Sequence, residues 1–360
     1  TNNKSATPPL QLLNKLDTTA IFDIKWSYHT IGQKAWLAMA GADASLGLYT
    51  LDCVTDDDDE GDDGENDGNE NDGNENDEKM PMRRCSRVKM TERHRVEFPD
   101  PIVIDGDDER LMGEQREEVH ETDQERHDKL LIQHQISFDT LGESYEKKAD
   151  NMCLSIDWNN RVQHDEGNIK LIVTQSNGHA SLVHFTNSEL RVLNSWKAHN
   201  FEAWIGAFNY HHTRDSYDYV YTGGDDALMK GWDSRMGFET PTFVNRSHGA
   251  GVCSLQSCPH DANLLASGSY DEHVRLWDVR MLRPGSSPLF EYHMGGGVWR
   301  IKWHKSNKDL LLTACMHNGF HVLDLEQQEI VASYGMHESL AYGVDWNLST
   351  EGDDGGDGSL

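Results

Sequence analysis

The stretch LLASGSYDEHVRLWDVR, residues 264–280, decides the fold. It contains an apolar run, then a polar tight turn, then an alternating run that closes on Trp277 and Asp278. Apolar residues that alternate with polar ones between turn signals indicate β-strands rather than an amphipathic helix. The stretch therefore predicts two strands joined by a turn.

The same pattern returns along the chain at a fixed period. YVYTGGDDALMKGWDSR (219–235) and LLLTACMHNGFHVLDLE (310–326) align with the first stretch, and weaker copies occupy residues 35–51 and 170–185. The Asp that ends the pattern falls at 233, 278 and 324, at spacings of 45 and 46. A further short strand precedes each copy, and these strands close on Trp26, Trp158, Phe208 and Trp303, with Trp346 closing one more. A period of this length indicates a repeat architecture.

With this period and the pairs Trp232-Asp233 and Trp277-Asp278, the chain resembles the WD-repeat family. That family builds four-stranded blades into a β-propeller around a central channel. The resemblance implies an all-β fold with five complete blades and a sixth that stops after YGVDW, 342–346. Because an open propeller exposes strand edges, we expect the natural protein to be longer at both ends and to close with seven blades.

Two copies also match the buried hydrogen-bond network of WD repeats. A buried Asp is costly unless it is hydrogen-bonded, so its members are expected to be structural. In the fifth copy His317 takes the place of the Asp and Leu323 the place of the Trp. Either packing must hold that blade, or His317 is available for a role outside the network. The network residues are His199, Thr222, Asp226 and Trp232 in the third copy, and His248, Ser267, Asp271 and Trp277 in the fourth.

The net charge is concentrated in one part of the chain. The whole chain has 62 acidic and 32 basic side chains, a net charge of −30, and residues 52–148 hold 32 acidic against 13 basic ones. Residues 55–78 contain 14 acids and no base, which predicts disorder. Order is expected to resume near Leu130. The insertion is either a solvated loop or an electrostatic arm for a basic partner or for ribosomes. The predicted division is a propeller part at 1–51, an acidic insertion at 52–129, blades at 130–348 and an acidic tail at 349–360.

Composition and motifs exclude several classes. A pI near 4.8 argues against broad binding of nucleic acid. The chain contains no run of about 18 apolar residues, so no membrane span is predicted. The six cysteines show no CxxC pair and no zinc spacing, which predicts no metal and favours reduced thiols in a cytoplasmic protein. No GxSxG, HExxH, P-loop or GxGxxG motif is present, so motifs alone favour a non-catalytic scaffold.

Longer blade sequences resemble the diphthine methylesterase family, the WD-repeat proteins of diphthamide biosynthesis. The similarity covers roughly 190–347 and extends more weakly to 17–51. It implies hydrolysis, without a cofactor, of the methyl ester of methylated diphthine on translation elongation factor 2. The alternative is a non-catalytic WD-repeat scaffold that docks elongation factor 2 for the amidating enzyme. The motifs are FEAWIGAFNY (201–210), GGDDALMKGWD (223–233), GSYDEH (268–273), GGGVWRIKWH (295–304), LTACMHNGF (312–320) and ESLAYGVDW (338–346).

The implied reaction needs a base for water, donors for the oxyanion and a pocket for a trimethylammonium group. Such a cation favours aromatic faces and carboxylates. Trp204, Trp299 and Tyr342 are expected either to ring the channel mouth or to pack between blades. Arg300 is expected to donate to the oxyanion or to pair with Glu338, and Cys253 to serve apolar packing rather than as a nucleophile. The base candidates are His317, Glu202 and Glu272; the substrate-binding candidates are Asp225, Tyr270, His273, Trp204, Trp299, Arg300, Glu338 and Tyr342.

Overall fold

The computed structural model describes residues 20–31, 34–54, 87–98, 151–162, 165–186, 189–211 and 218–346. Its twenty strands form five antiparallel four-stranded sheets. In these ranges the only helices are single 3-10 turns, and no helix there is long and apolar enough to cross a membrane. The expected all-β propeller of five complete blades is confirmed.

The five sheets follow the chain in order. The first contains β1 (Ile21–Trp26), β2 (Trp36–Gly41), β3 (Ser45–Val54) and β4 (Arg87–Glu97). The second contains β5 (Cys153–Trp158), β6 (Ile169–Gln175), β7 (His179–Thr186) and β8 (Glu189–Lys197). The third contains β9 (Ile205–Phe208), β10 (Tyr219–Gly223), β11 (Met229–Asp233) and β12 (Phe243–Asn245). The fourth contains β13 (Val252–Ser257), β14 (Leu264–Ser269), β15 (His273–Asp278) and β16 (Phe290–His293), and the fifth β17 (Arg300–Trp303), β18 (Leu310–Ala314), β19 (Phe320–Asp324) and β20 (Glu329–Tyr334).

The outer strand of the first sheet differs from the predicted division of the chain. β3 runs on to Val54, and β4 pairs with it from Glu97 back to Arg87. Both segments extend into the range assigned to the insertion, because the charged residues of β4 obscured its alternation. Val96 packs against the cluster of Leu46 and Met90 against the cluster of Tyr49, on opposite faces of the sheet, because the register shifts between Leu48 and Tyr49. The predicted disorder at 55–78, the return of order near Leu130 and the acidic tail lie outside the described residues.

The first strand of every sheet lies innermost. β5 contacts both β1 and β9, and β13 contacts both β9 and β17, so the first strands succeed one another around the channel. Apolar side chains fill the space between neighbouring sheets. Trp158, Trp232, Trp277 and Trp303 are among the largest fully buried side chains there.

Polar side chains of the inner strands bind the backbone of the next blade. Ser155 Oγ and Asp157 Oδ2 accept the amide N–H groups of Gly206 and Phe208, each at 3.0 Å. These contacts join β5 to β9, two strands with no backbone pairing between them. We call this pattern the inner-strand ladder.

The ladder recurs at two other blade junctions. Ser254 Oγ and Gln256 Oε1 of β13 accept the amides of Ile301 and Trp303 of β17 at 3.0 and 2.8 Å. At the first junction Asp23 Oδ2 accepts the amide of Ile156 at 3.0 Å. Each contact satisfies a buried backbone donor that would otherwise cost stability. The ladder therefore fixes the height of the inner strands at these three junctions. At the fourth, β9 has no polar side chain, and Ser257 Oγ of β13 instead donates to the carbonyl of Phe208 at 2.7 Å.

The ladder stops at β17, where Arg300 and Lys302 occupy the acceptor positions. Both side chains are donors only, so they cannot accept an amide of a following strand. The next segment, predicted as the first strand of a sixth blade, lies in the expected place but forms no regular strand. Ala341 pairs with Met316 in an isolated bridge, and Trp346 Nε1 donates to the carbonyl of Lys302 at 3.1 Å.

One face of β1 is exposed. Ile21, Phe22, Ile24 and Trp26 are 39–49% exposed, whereas every residue of β5, β9 and β13 is buried. In the described part of the chain no sheet covers this face. Closure with seven blades stays a prediction.

The third blade contains the hydrogen-bond network expected from the sequence. Trp232 Nε1 donates to Thr222 Oγ1 at 2.9 Å, and the same hydroxyl lies 2.9 Å from His199 Nε2. His199 Nδ1 lies 2.8 Å from Asp226 Oδ1. A carboxylate accepts only, so the ring proton sits on Nδ1 and the Thr222 hydroxyl donates to Nε2. Burial lowers the pKa of His199, which keeps the ring neutral.

The fourth blade has the network without its His–Asp bond. His248 Nε2 and Trp277 Nε1 both bind Ser267 Oγ, at 2.9 and 2.8 Å. Asp271 instead accepts from Arg275 Nη1 at 2.7 Å, and His248 Nδ1 is buried without a hydrogen bond. The predicted four-residue network is corrected here: Arg275 competes for the carboxylate, whereas Lys230 at the same place in the third blade binds a carbonyl.

Packing holds the fifth blade, as the sequence analysis allowed. Leu323, at the place of the network Trp, is fully buried in one apolar cluster with Met294 and Trp303. Thr313 keeps the hydroxyl position and donates to the carbonyl of His321 at 3.2 Å. His317 takes no part in this interior.

Two carboxylates occupy the same position in different inner segments. The ladder predicts that their removal lowers the free energy of unfolding by unequal amounts. Asp157→Ala orphans the buried amide of Phe208 and the hydroxyl of Tyr210 and leaves buried Lys25 without its partner. We expect a loss of about 3–5 kcal/mol in the free energy of unfolding, measured by chemical denaturation. Asp345→Ala, at the same position of the last segment but exposed, should cost less than about 1 kcal/mol. Equal losses would contradict the ladder.

His248 predicts a pH dependence of stability. Burial, with Arg275 adding to it and Asp271 opposing it, lowers its pKa to about 3. An unfolded histidine titrates near pH 6.5, so between these values only the unfolded chain takes up the proton. Its contribution is complete above pH 6.5 and falls by about 1.4 kcal/mol per pH unit as pH drops. Urea unfolding between pH 6 and 5 should show this slope reduced in His248→Asn; an unchanged slope in that variant would contradict the prediction.

Candidate functional site

Four aromatic side chains meet at one end of the inner strands. Trp204 precedes β9, Trp299 precedes β17, Tyr270 lies in the turn between β14 and β15, and Tyr342 follows the Ala341 bridge. We call these four residues the mouth cluster. Three of them were expected to ring the channel mouth, and the structure brings all four together.

Trp299 is the centre of the mouth cluster. Its ring centroid lies 4.9 Å from Tyr342, 5.5 Å from Trp204 and 5.8 Å from Tyr270. All these pairs are edge-to-face, so in each pair the edge of one ring lies against the face of the other. Tyr342 is 41% exposed and the other three are half-buried, so solvent reaches the cluster.

Two glycines allow Tyr270 to reach the mouth. A Cβ at Gly251 would lie 3.1 Å from Cδ2 of Tyr270, and one at Gly297 would lie 3.3 Å from Cδ1. The Tyr270 amide donates to the carbonyl of Gly251 at 2.9 Å, and the Val298 amide donates to Ser269 at 2.9 Å. The motif GGGVW thus brings the backbone of the fifth blade against the ring.

Carboxylates border the cluster on the side of the third blade. Asp225 Oδ1 accepts from Trp204 Nε1 at 3.0 Å, which fixes the indole ring. The Asp225 amide donates to the carbonyl of Glu202 at 2.9 Å and so joins the turn to the loop before β9. Asp225 is exposed and Glu202 half-buried. Negative charge beside aromatic faces favours a cationic ligand.

Cys253 lies in β13 and is buried. Its Sγ donates to the carbonyl of Gly251 at 3.3 Å. Burial, with the charge of Asp225 adding to it, raises the pKa of this thiol well above its ordinary value. A nucleophilic cysteine must be a thiolate, so the structure supports the packing interpretation. Burial also raises the pKa of Tyr270, which keeps its hydroxyl protonated.

Arg300 follows Trp299 and is the first residue of β17. Its Nη2 donates to Asp23 Oδ1 of the first blade at 3.2 Å. The expected alternative, a pair with Glu338, is not formed. Asp23 holds the guanidinium, and Glu338 lies exposed in the segment that follows β20. Asp23 is the main residue that the sequence reasoning missed. When the inner strands are aligned by the aromatic residue that closes each of them, Asp23 and Arg300 occupy the same position. This alignment is the sequence signal that could have identified Asp23.

Two other candidates turn away from the cluster. Glu272 Oε2 lies 2.9 Å from His293 Nε2, at the end of the outermost strand of the fourth blade. His273 is paired with His293 in the β15–β16 register, and its Nδ1 lies 2.6 Å from the carbonyl of Asp271. The structure therefore does not join Glu272 and His273 to the mouth cluster.

His317 lies exposed in the turn between β18 and β19. In the described structure its ring makes no hydrogen bond or ion pair. Its neighbour Met316 pairs with Ala341, next to Tyr342, so this turn borders the mouth. In the part of the chain that the structure describes, no contact brings His317, Glu202 and Glu272 together, so these three residues form no preassembled group there.

Comparison with protein families identifies the repeat. The family model described as WD domain, G-beta repeat matches residues 239–278. This range ends on Asp278 and contains β13, β14 and β15 of the fourth blade. The match agrees with the sheets and with the hydrogen bonds of Ser267 and Trp277.

Curated proteins extend the similarity to other blades. The chain is 47% identical over 207 residues to the diphthine methyltransferase of Mus musculus, covering 54% of this chain and 42% of that protein. It is 44% identical over 207 residues to the Homo sapiens protein of the same name, covering 54% and 44%. A Dictyostelium discoideum homolog is 40% identical over 222 residues, covering 56% and 57%. The chain spans about half the length of the curated relatives it matches. The resemblance to the diphthine methylesterase family is thereby confirmed: this is a WD-repeat protein similar, over about half its length, to proteins named diphthine methyltransferase.

Proposed function

We propose that this chain acts in diphthamide biosynthesis by hydrolysing the methyl ester of methylated diphthine on translation elongation factor 2. The similarity to proteins named diphthine methyltransferase supports the pathway. The observation that carries the proposal is the mouth cluster with its bordering carboxylates. The substrate implied by the family carries a trimethylammonium group, and this site has the chemistry to hold one.

The mouth cluster suits a quaternary ammonium for a physical reason. Such a cation has no N–H to donate, so its recognition depends on aromatic faces and nearby negative charge. Trp299 contacts three other rings, and the Asp225 carboxylate lies against the indole N–H of Trp204. A basic pocket would repel the same group.

Ester hydrolysis adds requirements beyond binding. Water attacks the carbonyl carbon and loses a proton to a base; the bond to the methoxy oxygen then breaks, and methanol leaves with a proton. Glu202 and His317 are the base candidates that border the mouth, whereas Glu272 faces His293. Arg300, which follows Trp299 in the chain, is the candidate donor for the developing oxyanion.

The reaction is tested with elongation factor 2 that carries the methylated intermediate. Incubation with this chain should release methanol and lower the mass of the factor by one methylene unit, as followed by mass spectrometry. The names of the relatives describe a methyl transfer, so a parallel reaction contains unmethylated factor and a sulfonium methyl donor. A gain of mass there, or no loss from the ester with an intact factor, contradicts the proposal. Binding of the factor without methanol release supports the scaffold alternative.

The contribution of the mouth cluster is measured by substitution. Trp299→Ala removes the ring that joins the other three, and we expect KM for the methylated factor to rise about 5- to 30-fold. Tyr334→Ala removes a 56% exposed ring of the same sheet on its outermost strand and should leave KM unchanged. If both variants keep the parent KM, the cluster is not the substrate site. Circular dichroism confirms that each variant is folded.

A further inference from the structure

We propose that Arg300, positioned by Asp23, recognises the acyl oxygen of a ligand whose quaternary ammonium lies in the mouth cluster. The inference rests on the proposed function and adds a residue that determines specificity. It predicts that the mouth prefers betaines, which carry a carboxylate beside the quaternary nitrogen, over cations that lack one.

Asp23 is itself held in place on both oxygens. Its Oδ2 accepts the amide of Ile156 at 3.0 Å, and its Oδ1 accepts the amide of Ile24 at 3.1 Å. Oδ1 also accepts from Arg300 Nη2 at 3.2 Å. The carboxylate is nearly buried, with its side chain 6% exposed. The guanidinium is therefore anchored by one nitrogen to a fixed point of the first blade.

The other guanidinium nitrogens remain available. A guanidinium has five N–H donors in a rigid plane. Within the described structure Nε and Nη1 of Arg300 donate to no protein group, and they are not among the buried unpartnered atoms. The side chain is 15% exposed, so solvent reaches it. Nη2 keeps a second N–H beside that of Nη1 or Nε, and such a pair of parallel donors matches a carboxylate.

Arg300 also lies at the right level of the channel. It follows Trp299, the central ring of the mouth cluster, whereas Lys302 lies two residues further along the same strand. Lys302 Nζ faces Asp345 at 3.0 Å, and Lys25 Nζ faces Asp157 at 3.5 Å. Both lysines are therefore paired with carboxylates. Because Arg300 is the cationic residue next to Trp299 in the chain, we infer that a ligand whose ammonium group lies against Trp299 reaches Arg300 rather than the lysines.

The two groups together define the ligand class. The aromatic rings bind the methyl groups around the nitrogen, and Arg300 binds an oxygen acceptor a few bonds away. An ester offers its carbonyl oxygen to one N–H, whereas a carboxylate accepts from two. The carboxylate form should therefore bind more tightly than the ester, so the product of hydrolysis is retained longer than the substrate.

Small quaternary ammonium compounds test this without a protein substrate. The full chain is titrated with glycine betaine, choline and tetramethylammonium, and binding is followed by tryptophan fluorescence and calorimetry. We expect glycine betaine to bind about tenfold more tightly than choline or tetramethylammonium. Arg300→Gln should abolish this preference and leave the affinity for tetramethylammonium unchanged. Lys302→Gln, the matched control two residues further along the strand, should keep the preference.

Asp23 is tested as a positioning residue by Asp23→Asn. The amide keeps an oxygen for the backbone but loses the charge that holds the guanidinium, so the preference should fall while the affinity for tetramethylammonium stays. Equal affinities for betaine and choline, or a preference that survives Arg300→Gln, overturn the inference. Methanol release without a betaine preference overturns it and leaves the esterase proposal standing. A betaine preference without methanol release overturns the esterase proposal alone.

Discussion

The hydrogen bonds between inner strands are the constraint on which this structure depends. Sheets of a propeller do not pair with each other along their strands. Apart from single backbone bonds such as that from Val298 to Ser269, side chains fix one inner strand against the next. Ser155, Asp157, Ser254 and Gln256 do this by accepting backbone amides of the following blade. Each buried amide is satisfied, and the ends of the strands are brought to one level. Trp204 and Trp299, the two indoles of the mouth cluster, each stand directly before one of these inner strands.

The ladder ends at β17, the strand that carries the candidate site residue Arg300. Arg300 and Lys302 replace acceptors by cations, so β17 cannot hold the amides of the next segment. The inner strand therefore makes no ladder bonds to the next segment, and it carries two positive charges at those positions instead. Arg300 reaches across to Asp23, and its side chain stays accessible to solvent. Departures from a repeat that weaken its regular bonding are typical of functional positions.

Much of this arrangement is readable in the sequence. The 45-residue period predicts the sheets, and the offsets of His199, Thr222, Asp226 and Trp232 predict a network that the structure contains. Three features were not predicted from the sequence, and each has a physical cause. The strand Arg87–Glu97 is hidden by its charges and by a shift in its register, which breaks the alternation of its apolar residues. Asp271 binds Arg275 because a guanidinium nearby competes better than a neutral imidazole. Asp23 is missed because its partner is 277 residues away in the chain.

The central functional claim is that a quaternary ammonium binds among four aromatic rings and directs its acyl group to Arg300. The most direct measurement is a crystal structure of the protein with a trimethylated betaine bound. The account predicts the ammonium nitrogen within about 6 Å of the ring centroids of Trp204 and Trp299, with the carboxylate against Arg300. A betaine bound at the opposite end of the channel, or one with its carboxylate directed away from Arg300, would contradict it.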